Sequence, residues 1–172
     1  MFINYIKKIF LKKILKKSLH NVKPCSLTTP IQTVGLLVDE SYFSDKEALI
    51  KELVAGGIQK DNIKTIVFKD KIKKNEIFSH ATFSNKDVSW KGNIEKVFVS
   101  EFINTPFDML ISYYDIEKAP LLLVTNHAKA LFKVGFSAVD KRLNHLMIDT
   151  NAENHKVFVH ELIKYLKILS KI

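Results

Sequence analysis

The sequence predicts an α/β protein: a three-layer, Rossmann-like domain with a mostly parallel sheet of about five strands, preceded by a basic amphipathic helix. Two observations predict it. Short apolar runs alternate with amphipathic segments from Thr33 onward, as in folds that place helices on both faces of a sheet. The first 38 residues contain seven lysines and no acidic residue. The length of 172 residues suits one domain, with some chain left for an appendage.

The predicted strands are short and almost continuously apolar, which is typical of parallel strands that are buried on both faces. Five segments have this pattern, and the segment from Ile77 to Phe83 is a further candidate. The five are Thr33 to Val38, Ile63 to Phe68, Phe107 to Tyr113, Leu131 to Phe136 and His145 to Asp149.

Helices are predicted between these strands. A capping box of Ser44 and Glu47 begins one helix, and the pair Gly56-Gly57 ends it. The segment from Glu95 to Asn104 fits either period, and we favour a helix; Pro120 suits the first turn of the next one. A last helix spans Asn154 to Leu169, with an apolar face of Val157, Leu162, Ile163, Leu166 and Leu169.

The net charge of +9 is unevenly distributed. Beyond residue 38 the chain has 20 basic and 18 acidic residues, so the body of the protein is nearly neutral. A basic face that covers the whole domain and binds nucleic acid is therefore not expected. The single cysteine, Cys25, excludes an intramolecular disulfide and fits a reducing compartment, so we expect a cytoplasmic protein.

The segment from Phe2 to His20 is predicted to be a helix, within an N-terminal unit of residues 1–22. A linker of residues 23–32 and an α/β domain of residues 33–172 follow. Lysines interrupt the apolar positions every three or four residues, which argues against a signal peptide or a spanning helix. Two apolar rows lie side by side on the helix: Ile3, Ile6, Phe10 and Ile14, and Leu11, Leu15, Leu19 and Val22.

Three interpretations of this helix compete. Its apolar arc can dock on the domain and leave the lysines in water. It can lie on an anionic membrane, with Phe2, Ile6 and Phe10 inserted, or bind a protein partner. Binding to nucleic acid is less favoured, because the helix has no arginine. The predicted membrane or partner surface comprises Lys7, Lys8, Lys12, Lys13, Lys16 and Lys17.

Three stretches carry a family resemblance: Thr33 to Asp39 (TVGLLVD), Pro106 to Ser112 (PFDMLIS) and Ala128 to Gly135 (AKALFKVG). Together they resemble a family of small uncharacterised proteins from Bacteroidota, over nearly the whole chain. The stretch from Phe107 to Phe136 is also similar to one βαβ unit of heptosyltransferase-type GT-B glycosyltransferases. That similarity implies a fold and not an activity, since such enzymes need a second domain to hold the nucleotide sugar.

Glycine-rich phosphate loops, zinc-protease motifs and nucleophile elbows are absent from the sequence. Acidic residues, however, follow four of the predicted strands. Because parallel strands end at one edge of a sheet, these carboxylates are candidates for binding Mg²⁺ or a polar metabolite. The alternative is that they cap helices or lie in solvated turns. The candidate residues are Asp39, Glu40, Asp70, Asp115 and Asp149.

The other chemically notable residues carry weaker signals. The histidines lack a partner motif, and Trp90 beside two lysines can stack on a base or sugar, or fill the edge of the core. The sequence therefore favours a non-enzymatic binding or interaction module of the cytoplasm, with attachment to the inner membrane surface through the first helix as one of the open interpretations. The alternative is a small enzyme or a domain that binds a metabolite or Mg²⁺ at the strand ends.

Overall fold

The computed structural model describes residues 2–25, 27–89 and 92–172, and within the first helix it describes no side chain of residues 2–4, 7 and 8. The helices are α1 (Phe2–Ser18), α2 (Lys46–Ala55), α3 (Val97–Asn104), α4 (Ala119–His127) and α5 (His155–Ile168). The strands are β1 (Val34–Asp39), β2 (Ile63–Lys69), β3 (Ala81–Ser84), β4 (Phe107–Tyr113), β5 (Ala130–Phe136) and β6 (Leu146–Ile148).

The described strands form one sheet in the order β3-β2-β1-β4-β5-β6. Every neighbouring pair is parallel, so the predicted Rossmann-like α/β fold is confirmed, with six strands instead of about five. From β1 the chain proceeds outward through β2 to β3, and from β4 it proceeds in the other direction. The order therefore reverses between β1 and β4, where open α/β sheets form a crevice outside their strand ends.

Helices cover both faces of the sheet. The β1-to-β2 and β4-to-β5 connections run in opposite directions, so right-handed crossovers place α2 and α4 on opposite faces. Helix α5 packs beside α2, whereas α1 and α3 pack against α4. The three predicted layers are thus present, and α1 forms an additional outer layer on the α4 side.

An aromatic cluster fills the core under α5. The ring of Tyr113 lies 4.9 Å from Phe43 and 5.0 Å from both Phe136 and Phe158, measured between centroids. Its hydroxyl donates a hydrogen bond of 2.6 Å to the carbonyl of Ala152, as a buried tyrosine requires. Burial raises the pKa of Tyr113 above its ordinary value, so the residue stays neutral.

Close packing explains a glycine in the central strand. A Cβ atom built at Gly35 would lie 2.8 Å from the ring of Phe107, closer than real contacts allow. The rings of Phe102 and Phe107, with centroids 4.9 Å apart, occupy that space instead. Any larger residue at position 35 would displace one of these rings from the core.

Two details of the predicted helices are wrong. Helix α2 begins at Lys46, one residue after Asp45, so Asp45 is the N-cap in place of Ser44, and its carboxylate accepts from the Ala48 N–H at 3.3 Å. On α5, Val157 and Leu169 are 49% and 50% exposed. The other three predicted residues are buried as expected, and the buried face comprises Phe158, Val159, Leu162, Ile163 and Leu166.

Candidate functional site

Helix α1 attaches to the domain through one of its two predicted apolar rows. Leu11, Leu15 and Leu19 are 8%, 5% and 4% exposed, and the helix packs against α4. The residues are four positions apart and share one face of a helix. Fully burying a leucine contributes about 1.5–3 kcal/mol, so this row favours the docking of α1 on the domain.

Polar contacts fix the same interface. The Nζ atoms of Lys12 and Lys16 lie 3.2 Å and 2.7 Å from the Glu117 carboxylate, just before α4. Burial acts to raise the pKa of Glu117, but hydrogen bonds from the two lysines outweigh it and lower that pKa below its usual range. Glu117 therefore offsets part of the charge of α1.

Arg142 binds the end of α1. Its guanidinium donates to the carbonyls of Leu19 at 3.1 Å and Lys16 at 3.0 Å, in the last turn of the helix. A cation at this position complements the helix dipole. The same guanidinium pairs with Asp140 at 2.7 Å and, by its hydrogen bonds, lowers the Asp140 pKa to about 2.

The other apolar row of α1 faces solvent. Ile6, Phe10 and Ile14 are 46%, 53% and 47% exposed, and a neighbouring row holds Ile9, Lys13 and Lys17, all exposed. The helix thus docks with one row and presents a mixed face of apolar residues and lysines. We call this set of six residues the outward face. The predicted contributions of Phe2, Lys7 and Lys8 lie outside the described side chains.

At the carboxyl edge of the sheet, Lys118 joins two of the predicted carboxylates. Its Nζ lies 2.6 Å from Asp39, at the end of β1, and 2.8 Å from Asp70, after β2. Asp39 is only 4% exposed, and the ammonium group also lies over the rings of Tyr42 and Phe68. The lysine therefore reaches from the loop after β4 to the ends of β1 and β2 and offsets the buried charge.

Glu40 belongs to a second set of ion pairs beside this one. It binds the ammonium group of Lys46 and lies 3.7 Å from that of Lys69, which pairs with Glu76 at 2.5 Å. These residues line a polar cavity of about 280 Å³ that His80 also borders. The charges in this cavity are already matched by opposite charges.

The remaining two candidates are held elsewhere on the same edge. Asp115 accepts a 2.8 Å hydrogen bond from the Ala152 N–H, and Asp149 accepts one of 2.8 Å from Ser137. All five carboxylates thus lie at the ends of parallel strands, and in the contacts between described residues only Asp39 and Asp70 share a partner. Within the described residues, no group of three His, Cys, Asp or Glu side chains is placed to hold a metal ion. Ligand binding at these residues stays a prediction.

Lys118 was not singled out from the sequence, because its partners are 79 and 48 positions away. The residue precedes the Pro120 helix start, and only the folded sheet brings it to β1. Two further residues were noted in the sequence: Cys25 is exposed, and Trp90 lies outside the described residues. A strand-end cluster can be expected from sequence, but its counterion cannot.

One family model matches nearly the whole chain. A family model described as a family of unknown function (DUF6913) matches residues 7–169, which includes most of α1 and the whole sheet. Among curated proteins, none matches this chain. The match supports the prediction of a domain of unknown function, while the expected Bacteroidota origin and glycosyltransferase similarity stay expectations.

Proposed function

The chain belongs to DUF6913, a family of unknown function, so we propose a function from the geometry of its own residues. The proposed function is that of a non-enzymatic cytoplasmic binding module that attaches to an anionic membrane surface through the outward face of α1. No enzymatic step is needed for this function.

The proposal rests on the difference in burial between the two apolar rows of α1. The leucine row is buried, whereas Ile6, Phe10 and Ile14 remain about half exposed on the same helix. A helix can therefore insert shallowly into an interface while it stays docked on α4. Such helices lie in the plane of the membrane, with apolar side chains at the boundary of the acyl chains.

Charge favours an anionic surface as the occupant. Lys13 and Lys17 are exposed on the outward face itself, and the first 38 residues hold no acidic side chain. Each lysine near an anionic leaflet contributes about 1 kcal/mol. Across the described residues, no helix is long and apolar enough to cross a bilayer.

Sedimentation with vesicles tests the proposal. We expect the full chain to bind vesicles of equal parts phosphatidylglycerol and phosphatidylcholine, and to bind pure phosphatidylcholine weakly. Replacing Ile6, Phe10 and Ile14 by serine should abolish binding without unfolding the protein. A matched control replaces three exposed apolar residues elsewhere by serine: Ile77, Val97 and Ile168, which are 95%, 72% and 67% exposed.

The lysines are tested separately. The double variant Lys13→Gln/Lys17→Gln should bind the anionic vesicles less tightly, and its remaining binding should depend less on salt. The control Lys60→Gln/Lys74→Gln removes the same charge from another exposed surface. Equal loss of binding in both double variants would show that net charge alone, and not the outward face, causes the attachment.

The second candidate is a small enzyme, or a domain that binds a metabolite or Mg²⁺, at the carboxyl edge. The cavity of about 280 Å³ beside Glu40 favours it. The reversal point between β1 and β4, where open sheets bind ligands, supports it as well. A rise in melting temperature with Mg²⁺ that Asp39→Asn removes would support this candidate, and no rise would exclude the magnesium form.

A further inference from the structure

A basic cavity lies at the opposite, amino-terminal edge of the sheet. It has a volume of about 400 Å³ and is enclosed by four segments: the chain after α1, the end of α4, and the starts of β5 and β6. Pockets of this size take small-molecule ligands. Five of the described lining residues are lysine or histidine and none is acidic; the five are His20, Lys23, Lys129, Lys133 and His145.

Lys133 is the most unusual of these residues. It lies within strand β5 and is only 7% exposed, although lysine is almost never buried without a partner of opposite charge. Throughout residues 2–25, 27–89 and 92–172, no carboxylate forms an ion pair with it. Desolvation lowers the pKa of Lys133 to about 8, so its positive charge lacks full compensation.

The Lys133 ammonium group caps the end of α4. It donates to the carbonyl of Thr125 at 2.6 Å and that of Asn126 at 3.3 Å. These carbonyls carry the partial negative charge of the helix end. Because the ammonium group offsets that charge, the helix end does not repel an anion from the cavity.

His145 holds the wall of the cavity in place. Its Nδ1 accepts a 2.8 Å hydrogen bond from the Lys133 N–H, so its Nε2–H donates to the carbonyl of Lys23 at 2.7 Å. These two hydrogen bonds require the neutral tautomer of the ring that carries its proton on Nε2. The ring therefore ties the segment after α1 to the sheet and keeps Lys23 beside the cavity.

We propose that this cavity binds the phosphate group of a small phosphate ester, with Lys133, Lys129 and Lys23 as its cationic ligands. Several cations without an acidic neighbour favour a dianion over a singly charged carboxylate. The cavity is larger than inorganic phosphate, so the ester portion would occupy the rest of its volume. The ester can come from a soluble metabolite or from a lipid headgroup, and the proposal does not depend on membrane attachment by α1.

Isothermal titration calorimetry at constant ionic strength tests this site with three probes: inorganic phosphate, glycerol 3-phosphate and a short-chain phosphatidic acid. We expect saturable binding of glycerol 3-phosphate, tighter than that of inorganic phosphate. Binding of the phosphatidic acid alone would identify a lipid headgroup as the source. No saturable binding of any probe would overturn the proposal.

Variants connect the binding to the cavity. Lys133→Met should reduce affinity at least about tenfold, since it removes a charged hydrogen-bond donor to the phosphate. This variant also removes the donor to two carbonyls, so Lys23→Gln/Lys129→Gln, which changes only exposed side chains, provides a second measurement. The control is Lys60→Gln/Lys74→Gln.

Equal affinity in the wild type and both cavity variants would overturn the site. This result is distinct from a failure of the proposed membrane function, because the cavity variants leave the outward face of α1 unchanged. They should sediment with anionic vesicles as the wild type does.

Discussion

The Nζ atom of Lys16 lies 2.7 Å from the carboxylate of Glu117, which joins the N-terminal helix to the start of α4. This pair lies on the side of α1 that faces the domain, beside the buried Leu15 and Leu19. The opposite side, which carries Phe10, is consequently directed to solvent. Docking and surface exposure thus follow from one orientation of the helix.

The buried row of α1 should contribute measurably to stability. Leu15→Ala is expected to lower the free energy of unfolding by about 2–5 kcal/mol, because the residue is 5% exposed and its removal leaves a cavity. Ile14→Ala, at 47% exposure, should change it by less than about 0.5 kcal/mol. Urea denaturation measures both values, and equal effects would show that α1 is not docked.

The Glu117 contacts predict a dependence of stability on pH. The pKa of Glu117 is lower in the folded chain, so its contribution is present above the unfolded pKa and is lost as pH falls through the folded pKa. The difference in melting temperature between the wild type and Glu117→Gln should therefore be constant near neutrality and disappear in acid. A difference that persists unchanged in acid would contradict this assignment.

Asp140 should show a dependence of the same sign. Hydrogen bonds from Arg142 lower its pKa from 3.8 to about 2. The stability lost in Asp140→Asn should be present above pH 3.8 and disappear as pH falls through about 2. Thermal unfolding of both proteins across this range measures it. A stability difference between the wild type and Asp140→Asn that increases toward low pH would refute the ion pair.

Removing Lys118 should be strongly destabilising. Lys118→Met leaves Asp39 with an uncompensated charge at 4% exposure, which costs about 3–5 kcal/mol. The double variant Asp39→Asn/Lys118→Met should recover most of that loss. A double-mutant cycle in urea measures the coupling, and purely additive effects would show that the pair is not formed.

Local patterns in the sequence predicted the strands well, because strands such as β1 and β4 are buried on both faces and are therefore almost continuously apolar. Contacts between distant segments could not be predicted in this way. The two rows of α1 formed one apolar arc in the sequence, and only the position of α4 separates the buried Leu15 from the exposed Phe10. Likewise, the ammonium group between Asp39 and Asp70 comes from Lys118, on a different loop.

The basic cavity was also missed, although the sequence contained a signal for it. Lys133 lies in the middle of a segment that was correctly predicted as a strand, from Leu131 to Phe136. A lysine within a strand that is buried on both faces needs a specific partner. That inconsistency between residue type and predicted burial could have indicated Lys133.

The most direct test of the central claim, that the outward face of α1 contacts the membrane, uses an environment-sensitive fluorophore. In a Cys25→Ser background, the dye is attached to Phe10→Cys and, in a second protein, to Ile77→Cys, where the side chain is exposed elsewhere. Addition of phosphatidylglycerol vesicles should shift the emission of the dye at position 10 to shorter wavelength and leave position 77 unchanged. Bound protein whose dye at position 10 shows no shift, or the same shift as at position 77, would contradict the account.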